Sequence, residues 1–356
     1  MALPALAADE LHVFVFGPGT GELIAVRAPA NDWLIVDGCG VGRMKYGPAL
    51  LAHYGASPRL IALTHPHRDH AVGVADIVDT FTQGPARTWP RIGLLWPTPR
   101  DRVNLHDLQA YFAGGVVEDA LSAIRNRWRR HPPSRWDLEV GSSTRLGEAS
   151  ITVASPERST RRDAWKAWQR GGSYDPNQIA TVLDVSWHGH HIILGSDLVE
   201  QPGRGWTVAQ PRCGAAVATK VPHHGSTNAL HASWIRGAPH LAVTPFASSN
   251  LPRFDKTGGI ARMLATVDTV HLTALPRAYT TQVGTPQRLT RRELERLGDA
   301  EIDPPVHGWP DCYVMLSIAA DGSARLDHGP GSVQITESGG RARPRRRVIR
   351  PRGGRS

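Results

Sequence analysis

Apolar and polar residues follow one another along the first forty positions in a pattern that predicts β-structure. The segments LHVFVFG, ELIAVRA and WLIVDG are rich in branched and aromatic residues, and the glycine-rich turn GPGTG separates the first two. A helix is predicted near Gly47 to Tyr54, then a buried strand from Arg59 to Leu63 and a helix over 71–82. This alternation predicts a mixed α/β fold.

The middle of the chain, about residues 100–175, has apolar residues at helical spacing, as in Leu105, Leu108 and Phe112. We expect a helical elaboration upon the core there. Further strands are predicted at ASITVAS, IATVLDVSW, HIILGS, AAVATKVP and HLAVTPF, and CYVMLSIAADGSARLDH predicts a closing hairpin. One domain over 1–335 follows from this reading.

The composition changes the picture little. A chain of 356 residues with 40% hydrophobic content can bury a large core. It has no apolar run of about 18 residues and no basic stretch ahead of an apolar segment at its start, so we expect a cytoplasmic protein without a membrane partner. The cysteines Cys39, Cys213 and Cys312 are far apart and match no zinc or redox spacing.

The net charge of +9 is concentrated at one end of the chain. Eight arginines lie between Arg341 and Arg355, so the rest of the protein is almost neutral. A segment so rich in Arg, Gly and Pro cannot bury enough apolar area to offset its ordering entropy. We expect residues 336–356 to form a disordered basic tail, which could contact nucleic acid or a protein partner.

The segment THPHRDH, directly after the predicted strand Arg59–Leu63, carries the strongest chemical signal. His65 and His67 can point the same way, while Asp69 and His70 can turn toward a neighbouring position. Imidazole nitrogens bind Zn²⁺ at about 2.0–2.1 Å and carboxylate oxygens at a similar distance. One short loop can therefore supply most ligands of a two-metal centre. The alternative is a polar surface loop that happens to be rich in histidine.

The remaining ligands of such a centre must come from other strand ends, and candidates are present. Asp197 follows the apolar strand HIILGS, and His223 and His224 follow AAVATKVP. A carboxylate at Asp197 could bridge two ions. The alternatives are a helix N-cap for Asp197 and a structural turn for the paired histidines.

Four segments, taken together, resemble the competence-type (ComEC-like) branch of metallo-β-lactamase-fold hydrolases. They are GPGTGELI with LIVDGCG, then LTHPHRDHAVGV, IILGSDL and KVPHHGS, and they span about residues 11–255. The resemblance implies an αββα sandwich with the metals at one edge. It also implies a ligand set: His65 and His67 on the first metal, Asp69, His70 and one of the paired histidines on the second, Asp197 between them, and Asp37 orienting the loop.

Within the pair, we expect His223 to be the ligand and His224 to be a neighbouring residue or proton donor, and we count Asp69 and His224 as catalytic. The sequence departs from the family in one respect. Many relatives have a further ligand histidine before the bridging aspartate, and none of the histidines available here has a suitable setting: His106, His131, His188, His190 and His191. We therefore expect the first metal to be held weakly.

Two divalent ions, with Zn²⁺ expected and Mn²⁺ as the alternative, lower the pKa of a bound water toward about 7 and so supply a bridging hydroxide at neutral pH. The predicted function is hydrolysis of a phosphodiester or nucleic acid. Hydrolysis of a small ester, lactone or lactam, and a catalytically weak effector gated by a partner, are the alternatives. Candidate substrate contacts are Lys220, Ser226 and Asn250, which are equally compatible with turn roles.

Tryptophan and arginine interleave between Arg127 and Arg170, in RNRWRRHPPSRW and RSTRRDAWKAWQRGG. Aromatic rings beside cationic side chains are typical of grooves that bind single-stranded nucleic acid. The alternative is a pair of helices whose tryptophans are core residues and whose arginines are solvated.

Overall fold

The computed structural model describes residues 3–17, 20–94, 115–170, 175–209, 213–231, 234, 238–244, 251–253, 255, 257–274, 287–290 and 310–337. Within these residues, eighteen strands form two nine-stranded sheets.

The first sheet contains the N-terminal strands and the closing hairpin: β1 (Leu11–Phe16), β2 (Thr20–Ala28), β3 (Asp32–Val41), β4 (Met44–Lys45), β5 (Pro58–Leu63), β6 (Arg91–Leu94), β7 (Arg135–Asp137), β16 (Tyr313–Ile318) and β17 (Ala324–His328). The order across the sheet is β17-β16-β1-β2-β3-β5-β6-β7, with β4 beside β3. Strands β3, β5, β6 and β7 run parallel to one another.

The second sheet contains the other strands of the described residues: β8 (Ser143–Leu146), β9 (Ala149–Val153), β10 (Leu183–Trp187), β11 (His190–Leu194), β12 (Ala216–Lys220), β13 (His240–Val243), β14 (Thr269–Leu272), β15 (Gln287–Thr290) and β18 (Val333–Thr336). Their order is β15-β18-β14-β13-β12-β11-β10-β9-β8. The central strands β11 to β14 are parallel.

The strands alternate between two apolar layers, as a period of two requires. On β3, Leu34 and Val36 face a core shared with the second sheet, whereas Trp33 and Ile35 face a core on the outer side. The shared core also includes Leu183 from the second sheet, so the two sheets pack face to face.

Helices cover both outer faces of the sheet pair. The helices of the described residues are α1 (Tyr46–His53), α2 (Arg68–Ala71), α3 (Val74–Phe81), α4 (Val116–Arg130), α5 (Arg158–Gln169), α6 (Trp206–Ala209) and α7 (Gly259–Leu264). Residues of α1, α3 and α4 belong to the outer core of the first sheet, and residues of α6 and α7 to that of the second. The expected αββα sandwich is confirmed.

The described part of the region 100–175 contains helices α4 and α5 and strands β7, β8 and β9. Helix α4 buries Val117, Leu121 and Ile124 in the outer core of the first sheet, so it is a layer of the sandwich rather than an addition to it. Strands β7, β8 and β9 follow α4 and carry the chain from the first sheet to the second. The helix expected around Leu105 lies outside the described residues.

Two tryptophans of the Trp/Arg stretch, Trp136 and Trp165, have the geometry of core residues. Trp136 is 2% exposed and Trp165 is 8% exposed, so neither ring offers a face to a base. The indole Nε1 of Trp128 donates to the Ile92 carbonyl at 3.0 Å, and the guanidinium of Arg135 lies 5.1 Å from its ring centre. This arrangement favours the structural alternative for these residues.

Two other expectations depend on parts of the chain that are described only partly. Strand β18 continues to Thr336, which removes this residue from the expected tail, and residues 338–356 lie outside the described residues. Every helix within the described part of the chain is too short or too polar to cross a membrane.

The shared core between the sheets allows a direct test of the architecture. Leu34 is 0% exposed in that core. We expect Leu34→Ala to lower the free energy of unfolding by about 2–5 kcal/mol, because the cavity left by the side chain adds to the lost burial. Denaturant unfolding measures this value. Met44→Ala, at a position 46% exposed, is the control and should stay within about 0.5 kcal/mol of wild type.

Candidate metal centre

Polar side chains collect where parallel strands of both sheets end. Strand β5 leads into the loop from Thr64 to His70, which includes α2. Strand β11 leads into Asp197, and β12 leads into the 3-10 turn Pro222–Gly225. These carboxyl ends lie at one edge of the sandwich, which is the usual place for a ligand site in parallel sheets.

Four of these side chains form a compact cluster. One ligand atom from each of Asp69, His70, Asp197 and His224 lies within 4.8 Å of all the others. The His224 Nε2 atom is 3.1 Å from Asp69 Oδ2 and 3.5 Å from Asp197 Oδ2. The His70 Nε2 atom is 3.3 Å from Asp197 Oδ2 and 3.8 Å from Asp69 Oδ2. A tetrahedral ion bound at 2.0–2.1 Å separates its ligands by about 3.3 Å, so these spacings fit one cation.

Both imidazoles of the cluster are held in orientation by a hydrogen bond from the Nδ1 atom, on the side of the ring away from the cluster. His70 Nδ1 donates to Asp37 Oδ2 at 2.7 Å, and His224 Nδ1 donates to the Thr244 carbonyl at 2.8 Å. Each bond leaves the Nε2 atom facing the cluster, as is usual for histidines that bind metals.

Asp37 connects the loop to the first sheet, in the position expected for a residue that orients the loop. It has a left-handed φ of 59° within β3. Its Oδ1 accepts from the Thr64 amide at 2.7 Å, and its Oδ2 accepts from the Thr64 hydroxyl at 2.7 Å as well as from His70. One carboxylate thus fixes both the end of β5 and helix α2.

His65 and His67 lie beside the cluster and face each other. Their Nε2 and Nδ1 atoms are 3.1 Å apart, and the ring of His65 is 4.1 Å from that of His70. Among the described residues, no third His, Cys, Asp or Glu completes a group around this pair.

The other histidines considered for that position lie in different surroundings or outside the described residues. His131 packs edge-on against Trp89, and His188 and His191 pair with Glu148 and Asp184. His106 lies outside the described residues, and the ring of His190 contacts the turn at Gly322.

The paired histidines take the opposite places from those expected. His224 belongs to the cluster, whereas His223 Nε2 accepts from Asn177 Nδ2 at 3.2 Å and its Nδ1 donates to Asn228 Oδ1 at 3.0 Å. Both have left-handed φ values, 46° and 50°, within one 3-10 turn. Consecutive side chains in such a turn point in different directions. The sequence does not indicate which of the two histidines faces the cluster.

Of the candidate substrate contacts, Lys220 needs correction. Lys220 is 2% exposed and is paired with Glu22, so a substrate cannot reach its ammonium group. Ser226 is half-buried, and its amide donates to the His223 carbonyl at 2.8 Å. Asn250 lies outside the described residues.

Glu22 is a site residue that the motif analysis missed. It is 0% exposed and lies within 4.8 Å of Asp37 and His70. A signal was nevertheless present, because Glu22 has the same parity in β2 as Ile24 and Val26, which face the core between the sheets. A charged residue at an inward position of a buried strand is unusual and points to a site.

The charge balance of this region favours a bound cation. The carboxylates of Glu22, Asp37 and Asp197 are buried and that of Asp69 is half-buried, while among the described residues the lysine or arginine that lies buried beside them is Lys220. Burying several carboxylates without compensation is prohibitively costly. In addition, His70 Nε2 and Asp197 Oδ1 are buried and have no hydrogen-bond partner. The residues present therefore fit a divalent metal ion.

The pKa shifts agree with this interpretation. Burial lowers the pKa of His65 well below its usual value and also lowers that of His67, so both are neutral, the form that binds metals. Burial alone would lower the pKa of His224, but the Asp197 carboxylate outweighs it and that pKa rises to about 10. Burial alone would raise the pKa of Asp197, yet His224 holds it well below its usual range. The cluster thus attracts positive charge strongly.

Glycines allow the loop to lie this close to the first sheet. A Cβ atom on Gly38 would lie 2.1 Å from the Val72 carbonyl, and one on Gly21 would lie 2.5 Å from the Asp69 carbonyl. A side chain at either position would push the histidine loop away from the sheet. The glycines of GPGTGEL and VDGCG therefore belong to the architecture of the site.

No family model matches this chain, and no curated protein matches it. Solved structures that resemble it include the metallo-beta-lactamase fold protein YhfI from Bacillus subtilis, with 14% identity, a TM-score of 0.38, and coverage of 66% of this chain and 86% of that one. A variant of the CmlA beta-hydroxylase has 11% identity, a TM-score of 0.38, and coverage of 68% and 47%. Zn²⁺-bound PqqB from Methylobacterium extorquens has 12% identity, a TM-score of 0.36, and coverage of 72% and 86%. Likenesses this weak carry no functional argument, so the chemistry must be inferred from this chain's own residues.

Replacing each of the paired histidines by alanine tests the geometry of the cluster. We expect His224→Ala to lose most of the bound Zn²⁺ at equal protein concentration, because it removes one of four converging ligand atoms. His223→Ala is the matched control and should retain the ion, because its ring nitrogens are directed to two asparagines. Metal analysis after dialysis measures both. Retention by the first variant and loss by the second would show that His223 is the ligand.

Proposed function

We propose that this protein is a metal-dependent hydrolase. The observation that carries the proposal is the cluster of Asp69, His70, Asp197 and His224, whose ligand atoms have the spacing of one coordination sphere. Divalent ions held there and by the neighbouring histidines would activate water as a nucleophile and offset negative charge on the attacked group. Zn²⁺ suits this donor set of imidazole and carboxylate, and Mn²⁺ is the alternative.

The residues around the cluster have separate parts in this proposal. Asp37 and the Thr244 carbonyl orient the two imidazoles, and Asp197 lies between them. His65 and His67, neutral and adjacent, would hold a second ion. His223 is half-buried, and its bonds to Asn177 and Asn228 would hold the turn that presents His224.

For the substrate we propose a phosphodiester, with nucleic acid as the physiological form. The support is the charge distribution, since eight arginines between Arg341 and Arg355 would draw a polyanion toward the protein. Ser226 and Asn228 lie next to the cluster in sequence and provide hydrogen-bond donors for phosphate oxygens. The Trp/Arg stretch contributes little, because Trp136 and Trp165 are buried.

A comparison of substrates tests the proposal. The Zn²⁺- or Mn²⁺-loaded protein should hydrolyse bis(p-nitrophenyl) phosphate and cleave single-stranded nucleic acid, and should leave a chromogenic lactam and a p-nitrophenyl ester largely intact. Asp197→Asn should reduce turnover by at least about 100-fold and lower the metal content, because the cluster loses a carboxylate. Asp137→Asn, in a surface ion pair, is the control and should behave as wild type.

Other outcomes have distinct meanings. Faster turnover of the lactam or ester would replace the phosphodiester by a small-molecule substrate. Less than one ion per chain, with no turnover after adding either metal, would favour a partner-gated effector without its own activity.

Removal of the basic tail separates binding from chemistry. Each phosphate contact contributes roughly −0.7 to −0.9 to the slope of log affinity against log salt, so deleting residues 339–356 should flatten that slope by several units. Turnover of a small phosphodiester should not change, because such a substrate cannot reach the tail and the cluster together. Binding titrations at several salt concentrations measure the slope.

Two results would contradict the electrostatic role of the tail. A change in small-substrate turnover would indicate that the tail covers the site. An unchanged nucleic acid affinity and salt slope would indicate that it docks to a different kind of partner.

A further inference from the structure

A buried ion pair lies directly behind the four-residue cluster. Lys220 ends β12 and Glu22 lies near the start of β2, and both side chains are 0% exposed. Lys220 Nζ is 2.5 Å from Glu22 Oε1. Such a pair adds little net stability, because the desolvation of two charges offsets their attraction. Its location therefore points to a role in the adjoining site.

Lys220 holds the turn that presents Asp197. Its Nζ donates to the Ser196 carbonyl at 2.9 Å, and its own carbonyl accepts from the Gly195 amide at 3.2 Å. Ser196 has a left-handed φ of 46°, which is unfavourable for a residue with a side chain. The side chain and backbone of one lysine thus maintain a turn that would otherwise relax.

The same ammonium group lies near the carboxylate of Asp197. Asp197 Oδ2 lies 3.3 Å from His70 Nε2 and 3.5 Å from His224 Nε2, on the ligand side. Asp197 Oδ1 lies 3.8 Å from Lys220 Nζ and has no hydrogen-bond partner. The two carboxylate oxygens of Asp197 therefore have different neighbours: the ammonium for Oδ1 and the two cluster histidines for Oδ2.

Glu22 lies behind both imidazole ligands. Its Oε2 is 4.0 Å from His224 Nδ1, and its carboxylate is grouped with Asp37 and His70. Without Lys220, the buried charge of Glu22 would lie unpaired next to these ligands. The Lys220–Glu22 ion pair thus lies between strand β2, the turn at Ser196 and the two cluster histidines, His70 and His224.

We propose that Lys220 and Glu22 are positioning residues that set the metal affinity of the Asp69, His70, Asp197 and His224 cluster, without contact to the substrate. The inference rests on the proposed function only in requiring that the cluster binds a divalent ion. Partners located behind metal ligands commonly alter affinity by about 10–100-fold when removed.

The experiment compares wild type with Lys220→Met, Glu22→Gln and the double variant. Zn²⁺ affinity is measured by competition with a chromophoric chelator, the coordination geometry by the visible spectrum of the Co²⁺-loaded protein, and stability by thermal unfolding. Leu34→Ala is the control for lost stability alone, because Leu34 lies in the core between the sheets.

We expect each single variant to be less stable and to bind Zn²⁺ about 10–100-fold more weakly than wild type. For Lys220→Met, loss of the hydrogen bond to the Ser196 carbonyl should outweigh the removal of a positive charge near the ion. The double variant should regain much of the stability, because no unpaired charge remains buried, yet it should keep the weak Zn²⁺ affinity and a changed Co²⁺ spectrum. If a single variant does not fold, the Zn²⁺ affinity of the double variant still tests the proposal.

Recovery of both stability and Zn²⁺ affinity in the double variant would overturn the proposal and leave the pair with a structural role only. A loss of Zn²⁺ affinity in Leu34→Ala as large as that in the Lys220 and Glu22 variants would also overturn the proposal. If wild type binds neither Zn²⁺ nor Co²⁺, the proposed function itself is wrong, and this result is distinct from the other two.

Discussion

Burial of several carboxylates at the junction of two sheets is the constraint on which the rest of this structure depends. Glu22, Asp37 and Asp197 are removed from water, where each would be well solvated, and Asp69 adjoins them. The protein offsets part of this charge with Lys220 and orients two imidazoles toward what is left. Such an arrangement is costly for stability, so the buried carboxylates favour a site that binds a cation.

The sandwich can satisfy this constraint because parallel strands of both sheets end at the same edge. Strand β5 brings the histidine loop, β11 brings Asp197 and β12 brings His224, although these segments are far apart in sequence. Residues with left-handed backbone conformation bring these segments together: Asp37, Ser196 and His224 each have φ between 46° and 59°. Unfavourable backbone at these positions, held in place by side-chain hydrogen bonds, is typical of functional sites.

The strands and the importance of the histidine loop could be predicted from the sequence, because a period of two and a dense cluster of histidines are local signals. The sandwich was implied by the resemblance of four segments to metallo-β-lactamase-fold hydrolases. Which of His223 and His224 lies in the cluster could not be predicted, because the side chains of adjacent residues in this 3-10 turn point in different directions. Lys220 was expected to face the substrate because a lysine beside a ligand suggests an anion. Its burial depends on Glu22, which is 198 positions earlier in the chain, and that pairing has no local signature.

The two halves of the site are unequal, and the inequality has a chemical consequence. The cluster around Asp197 offers four candidate ligand atoms that would hold a divalent ion. His65 and His67 provide two nitrogens 3.1 Å apart, and within the described residues no further ligand joins them. In the proposed function, the first group would therefore retain an ion more firmly than the second. The second group, with fewer ligands, would leave more room for water and substrate, so different residues would govern metal affinity and reactivity.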